Sequence, residues 1–215
     1  VALGRALVRQ ARIYLMDEPV TNLDFKLRIE MRTEFKRLHD EFQYTLFYVT
    51  NDHTEAMALA DRIAVLNAGH LLQVGTPRQV YDHPKNRFVA GFLGFPRMNF
   101  LECTLLTHGA PRLRSLEGAW SLQVSDQVRD AVRQAGSERV TLGIRPEDVE
   151  LSTTEIPGGM AGRVFVTEPL GDRTIVDVAL GEEMVKVKTP PTTQLETDAR
   201  VWLTPDRERL HVFDS

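Results

Sequence analysis

Two adjacent carboxylates close a short apolar run near the start of the chain and are well suited to chemistry. Asp17 and Glu18 follow the run Ile13–Met16, which is typical of a short strand, and Pro19 ends it because proline cannot continue a central strand. Phosphoryl transfer asks a protein mainly for positioning and charge. One carboxylate could orient Mg²⁺ while the next polarises a water molecule. A plain strand end with an acidic turn is the alternative that this segment leaves open.

Alternating helices and strands over residues 1–93 would hold these carboxylates in place. Apolar residues at helical spacing predict a long amphipathic helix capped by Asp24. The run Thr45–Thr50 is rich in β-branched and aromatic residues and predicts a buried strand. A further helix is indicated at the very start, over Val1–Val8. Strands and helices in alternation predict parallel pairing in an α/β layer.

Capping and turn residues predict where three further elements begin. Asp52 with Glu55 three residues later has the spacing of a capping box, and Thr76 with Gln79 repeats it with a proline between them. Two apolar runs flank residues 67–70, whose Asn-Ala-Gly-His sequence predicts a β-hairpin.

The chain changes character after about residue 94. Short β-like runs separated by Gly and Pro turns predict a small all-β barrel or sandwich, with one helix over Ser125–Gln134. The segment Phe92–Asn99 is the predicted linker. The predicted strands are Trp120–Val124, Val140–Ile144, Met160–Val166, Thr174–Leu180, Met184–Lys188 and Val201–Leu203.

Composition excludes several classes of protein. The net charge is −4 and no basic stripe is visible, so we expect no nucleic-acid partner. A single cysteine, Cys103, excludes an intrachain disulfide and favours a reducing compartment. No apolar run reaches the roughly 20 residues that a membrane-spanning helix needs. The chain begins with Val1 rather than Met, and we expect it to be a piece of a longer protein.

Several further segments give the two carboxylates a family context. Asn22-Leu23-Asp24 follows the carboxylates, and Asn51-Asp52-His53 follows the second strand. The other matching segments are Val1–Leu7, Gly75–Pro77, Asn86–Phe92, Leu142–Glu147 and Leu210–Phe213. In this order they resemble the ATPase subunits of ABC importers, in the branch serving maltose, other oligosaccharides and glycerol-3-phosphate. The resemblance covers nearly the whole chain.

The resemblance implies a fold and a set of roles. Residues 1–93 would be the C-terminal portion of a P-loop ATPase domain, and residues 94–215 an OB-like regulatory β-barrel. In the Walker B segment, Asp17 would hold Mg²⁺ through water and Glu18 would be the general base. Asp24 would lie at a homodimer interface, and Asn51 would occupy the switch position. The intact parent would bind ATP and Mg²⁺ and contact membrane subunits at the cytoplasmic face of the cell membrane.

Two departures from the family pattern qualify these roles. No G-x-x-x-x-G-K-[ST] sequence occurs in the 215 residues, so the phosphate-binding loop and its lysine are absent, as is the signature loop. The switch position carries Asn51 where the family carries histidine. An amide can donate a hydrogen bond but cannot take up a proton. His53 is an alternative donor, although two positions along its side chain would point elsewhere.

We therefore expect this chain to hydrolyse no ATP on its own and to bind no cofactor tightly. An orphaned parallel strand leaves unpaired edges, so we expect a dimer or an association with an N-terminal fragment. A regulatory or effector-binding barrel with a non-catalytic ATPase remnant is the alternative, and an inactive gene remnant is another. Arg145 is a candidate for either an anion site or a salt bridge. Cys103 and the two tryptophans are expected to be packing residues.

Overall fold

The computed structural model describes residues 11–106, 110–134, 136–137 and 139–214. The chain divides into two compact units between Lys85 and Asn86. Sequence analysis placed this division slightly later, between residues 93 and 94. The helix predicted over Val1–Val8 lies outside the described residues. Within the described part, no helix has the length and apolar character needed to cross a membrane.

The first unit, over its described residues 11–85, contains two small sheets and three helices. Its elements are β1 (Ile13–Asp17), α1 (Phe25–Phe42), β2 (Thr45–Val49), α2 (His53–Leu59), β3 (Ile63–Asn67), β4 (His70–Gly75) and α3 (Pro77–Asp82). Strands β1 and β2 pair in parallel, as predicted, with Ile13 opposite Thr45. Strands β3 and β4 form the predicted hairpin. Its two turn residues, Ala68 and Gly69, both have positive φ, which matches the twist of a tight hairpin.

Among residues 11–85, the side chains packed on the β1–β2 sheet cover one of its faces. Tyr14 and Met16 point toward α1 and pack in a core with Phe35. On the opposite face Leu15 is 79% exposed and Phe47 is 60% exposed. The prediction that β2 is a buried strand was therefore wrong, because three of its five side chains are exposed and the other two are only partly buried. Helix α1 covers one face of the sheet, and strand side chains alternate between the two faces.

Capping explains where the helices begin. Asp24 precedes α1 and its carboxylate accepts a hydrogen bond from the Leu27 amide at 3.0 Å, as predicted. Thr76 and Gln79 form the full reciprocal capping box at the start of α3.

The described elements of the second unit are α4 (Arg87–Phe92), β5 (Asn99–Leu106), β6 (Arg112–Ser115), β7 (Ser121–Gln123), α5 (Asp126–Gln134), β8 (Arg139–Ile144), a 3₁₀ turn (Pro146–Asp148), β9 (Val149–Ser152), β10 (Met160–Pro169), β11 (Thr174–Leu180), β12 (Glu183–Thr189), β13 (Arg200–Pro205) and β14 (His211–Asp214). These strands form two five-stranded antiparallel sheets, with orders β12-β11-β10-β13-β9 and β14-β8-β5-β6-β7. Apolar side chains from both sheets share one core, which includes Leu142, Val178 and Leu203. The predicted linker is partly ordered structure, since α4 ends at Phe92 and β5 begins at Asn99.

Candidate functional site

The carboxyl ends of β1 and β2 bring the candidate residues to one edge of the sheet. Asp17 ends β1 and lies opposite Val49, the last residue of β2. The Glu18 amide donates to the Val49 carbonyl at 2.9 Å, so the ladder continues one residue past β1. Because the strands are parallel, whatever follows each of them emerges at the same edge. Glu18 and Asn51 therefore become neighbours although 33 positions separate them.

Both oxygens of the Glu18 carboxylate accept hydrogen bonds. The Asn51 side-chain amide donates from Nδ2 to Oε1 at 2.5 Å, and the Thr21 hydroxyl donates from Oγ1 to Oε2 at 3.3 Å. The Glu18 backbone has φ of +43°, a left-handed conformation that is uncommon for residues other than glycine. This turn directs the chain away from β1 and presents the carboxylate toward Asn51. The contact comes from Asn51, while His53 is the first residue of α2.

The segment between Glu18 and α1 is tied down by its own backbone. The Thr21 amide donates to the Glu18 carbonyl at 3.3 Å, and the Leu23 amide donates to the Val20 carbonyl at 3.0 Å. The Arg28 guanidinium reaches back from α1 and donates to the carbonyls of Thr21 and Leu23. These backbone contacts fix the position of Thr21, whose hydroxyl donates to Glu18.

On the other side of the site, the corner after β2 is organised by a buried carboxylate. Glu55 is only 3% exposed, and its Oε2 accepts hydrogen bonds from the Tyr48 hydroxyl at 3.0 Å and from the Thr50 hydroxyl at 2.8 Å. Thr50 Oγ1 in turn accepts from the Asp52 amide at 3.0 Å. Burial raises the pKa of Tyr48, and the charge of Glu55 raises it further.

This arrangement corrects the predicted capping box at α2. Asp52 is the N-cap and accepts from the amides of Thr54 and Glu55, as predicted. Burial alone would raise the pKa of Asp52, but the hydrogen bonds that Thr54 and Glu55 donate lower it overall. The Glu55 side chain does not complete the box. It turns inward because two hydroxyl groups there compete with the helix start for its oxygens.

Asp17 can contribute to a magnesium site but is not sufficient for one. It is exposed at the end of β1. Across the described residues, no group of three or more His, Cys, Asp or Glu side chains could hold a metal ion. Mg²⁺ commonly takes one or two protein carboxylates and completes its shell with water and substrate phosphates. A single exposed carboxylate such as Asp17 is compatible with that kind of partial coordination.

Three residues that sequence analysis singled out in the second unit, Cys103, Arg145 and Trp120, are buried. Cys103 is fully buried, and burial raises the pKa of its thiol to about 12, so thiolate chemistry is suppressed. Arg145 is buried and donates from Nη1 to the Leu93 carbonyl at 3.0 Å. Trp120 is buried and its indole N–H donates to Glu183 at 2.6 Å, which supports a packing role.

Sequence reasoning missed three residues around Glu18 and Asn51. Thr21 was not considered, Thr50 was counted only as part of a strand, and Glu55 was assigned to a cap. The spacing signal for Thr21 exists, since a hydroxyl three residues after a carboxylate can reach back to it across a turn. The role of Glu55 has no local signal, because it depends on Tyr48 and Thr50 from the preceding strand.

Comparisons with known proteins are specific over the whole chain. The family model of the MalK OB fold domain matches residues 94–149, and that of the TOBE domain matches residues 142–213. The uncharacterized ABC transporter ATP-binding protein y4oS of Sinorhizobium fredii is 42% identical over 100% of this chain and 55% of its own length. The chain corresponds to the C-terminal part of the ABC importer ATP-binding subunits.

Two of the similar proteins have names that state a transported solute. The sulfoquinovosyl glycerol transport ATP-binding protein SmoE of Agrobacterium fabrum is 41% identical over 100% of this chain and 59% of its own length. The sn-glycerol-3-phosphate import ATP-binding protein UgpC 1 of Rhizobium johnstonii is 38% identical over 99% of this chain and 56% of its own length. The chain thus spans between 55% and 59% of these three relatives and corresponds to their C-terminal part.

The similarity of this chain to a solved structure is weaker than its similarity to these relatives. The cytoplasmic molybdate-binding protein ModG matches with a TM-score of 0.44 and 13% identity, over 54% of this chain and 96% of that chain. A likeness of this size supports no conclusion about ligands.

Proposed function

We propose that this chain is part of a subunit that hydrolyses ATP to drive solute import, with Glu18 as the general base. The observation that carries the proposal is the hydrogen bond from Asn51 to Glu18, which joins the ends of two parallel strands in one polar site. On this proposal, residues 11–85 belong to a P-loop ATPase domain whose phosphate-binding loop is supplied by another segment.

The contacts at this site support a division of labour between the two carboxylates. Glu18 is held by two neutral donors, Asn51 and Thr21, which orient the carboxylate and leave it able to accept a proton from water. Asp17 is exposed beside it and would hold Mg²⁺, which neutralises developing charge on the phosphates when bound. Asn51, in the position that carries histidine in the family, would donate a hydrogen bond toward the γ-phosphate.

The partners and location follow from the same proposal. A second copy of the subunit would meet this one near Asp24, and membrane subunits would couple hydrolysis to transport at the inner face of the membrane. Asp24 caps α1 through its own carboxylate, and this role is compatible with an interface role. The solute would be a sugar, a sugar derivative or glycerol 3-phosphate, as the names of SmoE and UgpC 1 suggest.

The chain as given should show none of this activity alone. It contains no G-x-x-x-x-G-K-[ST] sequence, so nothing in it cradles the β- and γ-phosphates. We expect no measurable hydrolysis and weak nucleotide binding when it is titrated with a fluorescent ATP analogue in Mg²⁺. Turnover that Glu18→Gln removes would contradict this expectation.

A chimaera tests the proposal directly. The part of SmoE that precedes the matching region would be joined to residues 1–215, and Mg²⁺-dependent phosphate release would be measured. We expect hydrolysis that Glu18→Gln abolishes and Asn51→His increases, by at most about 10²- to 10³-fold, the usual cost of losing one donor to a developing charge. Glu30→Gln, which removes an exposed glutamate of α1, is the matched control and should leave the rate unchanged.

The outcome that would refute the proposal is equally specific. A chimaera that hydrolyses ATP at the same rate with Glu18→Gln as without it would show that Glu18 is not the base. A chimaera in which Glu30→Gln and Glu18→Gln are equally damaging would indicate a general loss of structure.

A second candidate function concerns the unit after Lys85. Its matches to the MalK OB fold domain and the TOBE domain favour a regulatory module that binds an effector or a control protein. Isothermal titration with small effectors would support this function if binding persisted when Glu18 is replaced, because the two units would then work separately.

A further inference from the structure

We propose that Glu55 and Thr50 are positioning residues that hold Asn51 against Glu18, and this inference rests on the proposed function only in naming that site as catalytic. In the hydrogen bonds described for the Glu18 side chain, the partners are Asn51 and Thr21, and neither Glu55 nor Thr50 is among them. Glu55 fixes the Thr50 hydroxyl, and Thr50 fixes the corner of the chain on which Asn51 stands.

Asn51 lies between two residues whose polar groups are both tied. On its amino side, the Thr50 hydroxyl donates to Glu55 Oε2 at 2.8 Å. On its carboxyl side, the Asp52 amide donates to the same Thr50 oxygen at 3.0 Å. The Thr50 oxygen therefore bridges across Asn51, with the helix α2 on one side and the backbone on the other. This bridge restricts the backbone dihedral angles of Asn51, which determine where its side chain can reach.

The carboxylate of Glu55 is an unusual anchor for a purely structural purpose. It is 3% exposed, and the donors described for it are two neutral hydroxyl groups on one oxygen. Burying a carboxylate costs far more than burying a neutral acceptor. A negative acceptor does, however, hold a hydroxyl more tightly and more directionally than a neutral one. The cost therefore fits a requirement for fixed geometry at Thr50.

The two residues that donate to Glu55 allow an effect on the position of Asn51 to be distinguished from an effect on stability. Tyr48 and Thr50 both donate to Oε2, but only Thr50 continues to the Asp52 amide and so to the corner that carries Asn51. Tyr48 packs edge to face on Phe35 in the core of the first unit. Removal of the Tyr48 hydroxyl should weaken the fold without releasing Asn51, whereas removal of the Thr50 hydroxyl should release Asn51.

Nuclear magnetic resonance of the ¹⁵N-labelled 215-residue chain tests this directly, with the Asn51 side-chain amide as the probe. Its proton bonded to Glu18 should lie downfield, and Glu18→Ala gives the reference position of the free amide. We expect Thr50→Val to move the signal to that free position and Thr50→Ser to restore it. Glu55→Gln keeps an oxygen acceptor without the charge, so it should move the signal only part of the way toward the free position, and Glu55→Ala should release it fully.

Tyr48→Phe is the matched control. It should lower the midpoint of thermal unfolding and leave the Asn51 signal unmoved. Equal movement of that signal in Tyr48→Phe and Thr50→Val would overturn the proposal, since the effect would then follow stability. An unchanged signal in folded Thr50→Val would overturn it as well.

A measurement on the unsubstituted chain keeps the proposal testable if a variant does not fold. The Asp52 amide should exchange with deuterated water roughly tenfold more slowly than an unprotected amide, as expected for one hydrogen bond of ordinary strength. Exchange at the unprotected rate would show that the Asp52 amide is not held by Thr50, which would overturn the proposal. None of these measurements involves nucleotide, so their failure would leave the proposed function standing, and failure of the chimaera would leave the bridge standing.

Discussion

Asn99 is expected to lock the two sheets of the second unit together. Its side chain is 7% exposed and forms two hydrogen bonds with the backbone of Lys186, one donated by Asn99 Nδ2 to the carbonyl and one accepted by Oδ1 from the amide, both at 2.8 Å. Asn99 begins β5 in one sheet and Lys186 lies in β12 of the other. The pair also joins the stretch that matches the OB fold domain to the stretch that matches the TOBE domain.

Asn99→Ala should destabilise this unit by about 2–4 kcal/mol. Each hydrogen bond contributes about 1 kcal/mol net, and the unpaired N–H and C=O of Lys186 add a desolvation penalty where water cannot reach them. Since a domain is stable by only about 5–15 kcal/mol, the loss would be large. Urea unfolding followed by tryptophan fluorescence suits the test, because both tryptophans of the chain, Trp120 and Trp202, lie in this unit.

A substitution at Thr104, on the same strand as Asn99, is the control for this prediction. Thr104→Ala shortens a partly buried side chain on the same strand β5 and should cost less than about 1 kcal/mol. A loss below about 1 kcal/mol for Asn99→Ala, or equal losses for both variants, would mean that water or another group replaces the two bonds and that Asn99 does not join the sheets.

Three further predictions follow from local contacts. Asp24→Ala removes the acceptor of the Leu27 amide and should destabilise the first unit by about 1 kcal/mol in thermal unfolding, whereas Asp24→Asn should cost much less. Cys103 should react with a thiol reagent only in urea, and fast labelling of the native chain would refute its burial. Burial raises the pKa of Asp148 against the opposing charge of Arg209, so its ionisation weakens the fold as pH rises through that raised value. Arg209→Met should therefore destabilise the chain at neutral pH but have little effect near about pH 3, where the carboxyl is protonated in both states.

Local signals predicted most of the first unit. Asp24, Thr76 and the Ala68-Gly69 turn act through neighbours three or fewer residues away, so the sequence contains the whole of each interaction. The parallel pairing of β1 and β2 followed from their order along the chain. Glu18 and Asn51 follow these two strands, and the structure brings them within hydrogen-bond distance at one edge of the sheet.

Contacts between distant segments were not predictable in the same way. The inward turn of Glu55 depends on hydroxyl groups of the preceding strand, and this competition overrode a correct capping pattern. Asn99 was predicted to lie in a linker. Its hydrogen-bond partner, the backbone of Lys186, is 87 positions further along the chain, so no local pattern shows this contact. The order β14-β8-β5-β6-β7 likewise places the last strand beside β8, and no local pattern encodes that choice.

The left-handed backbone of Glu18 gives the proposed base its position at a cost in stability. For an L-residue with a Cβ atom this conformation costs about 1–2 kcal/mol, and asparagine and glycine adopt it more easily. A laboratory selection for thermostable variants of this chain would therefore favour Gly or Asn at position 18. Every such winner would lack the carboxylate proposed as the base. Stability screens on this chain would therefore remove the proposed base, and only a selection for turnover in the chimaera would retain it.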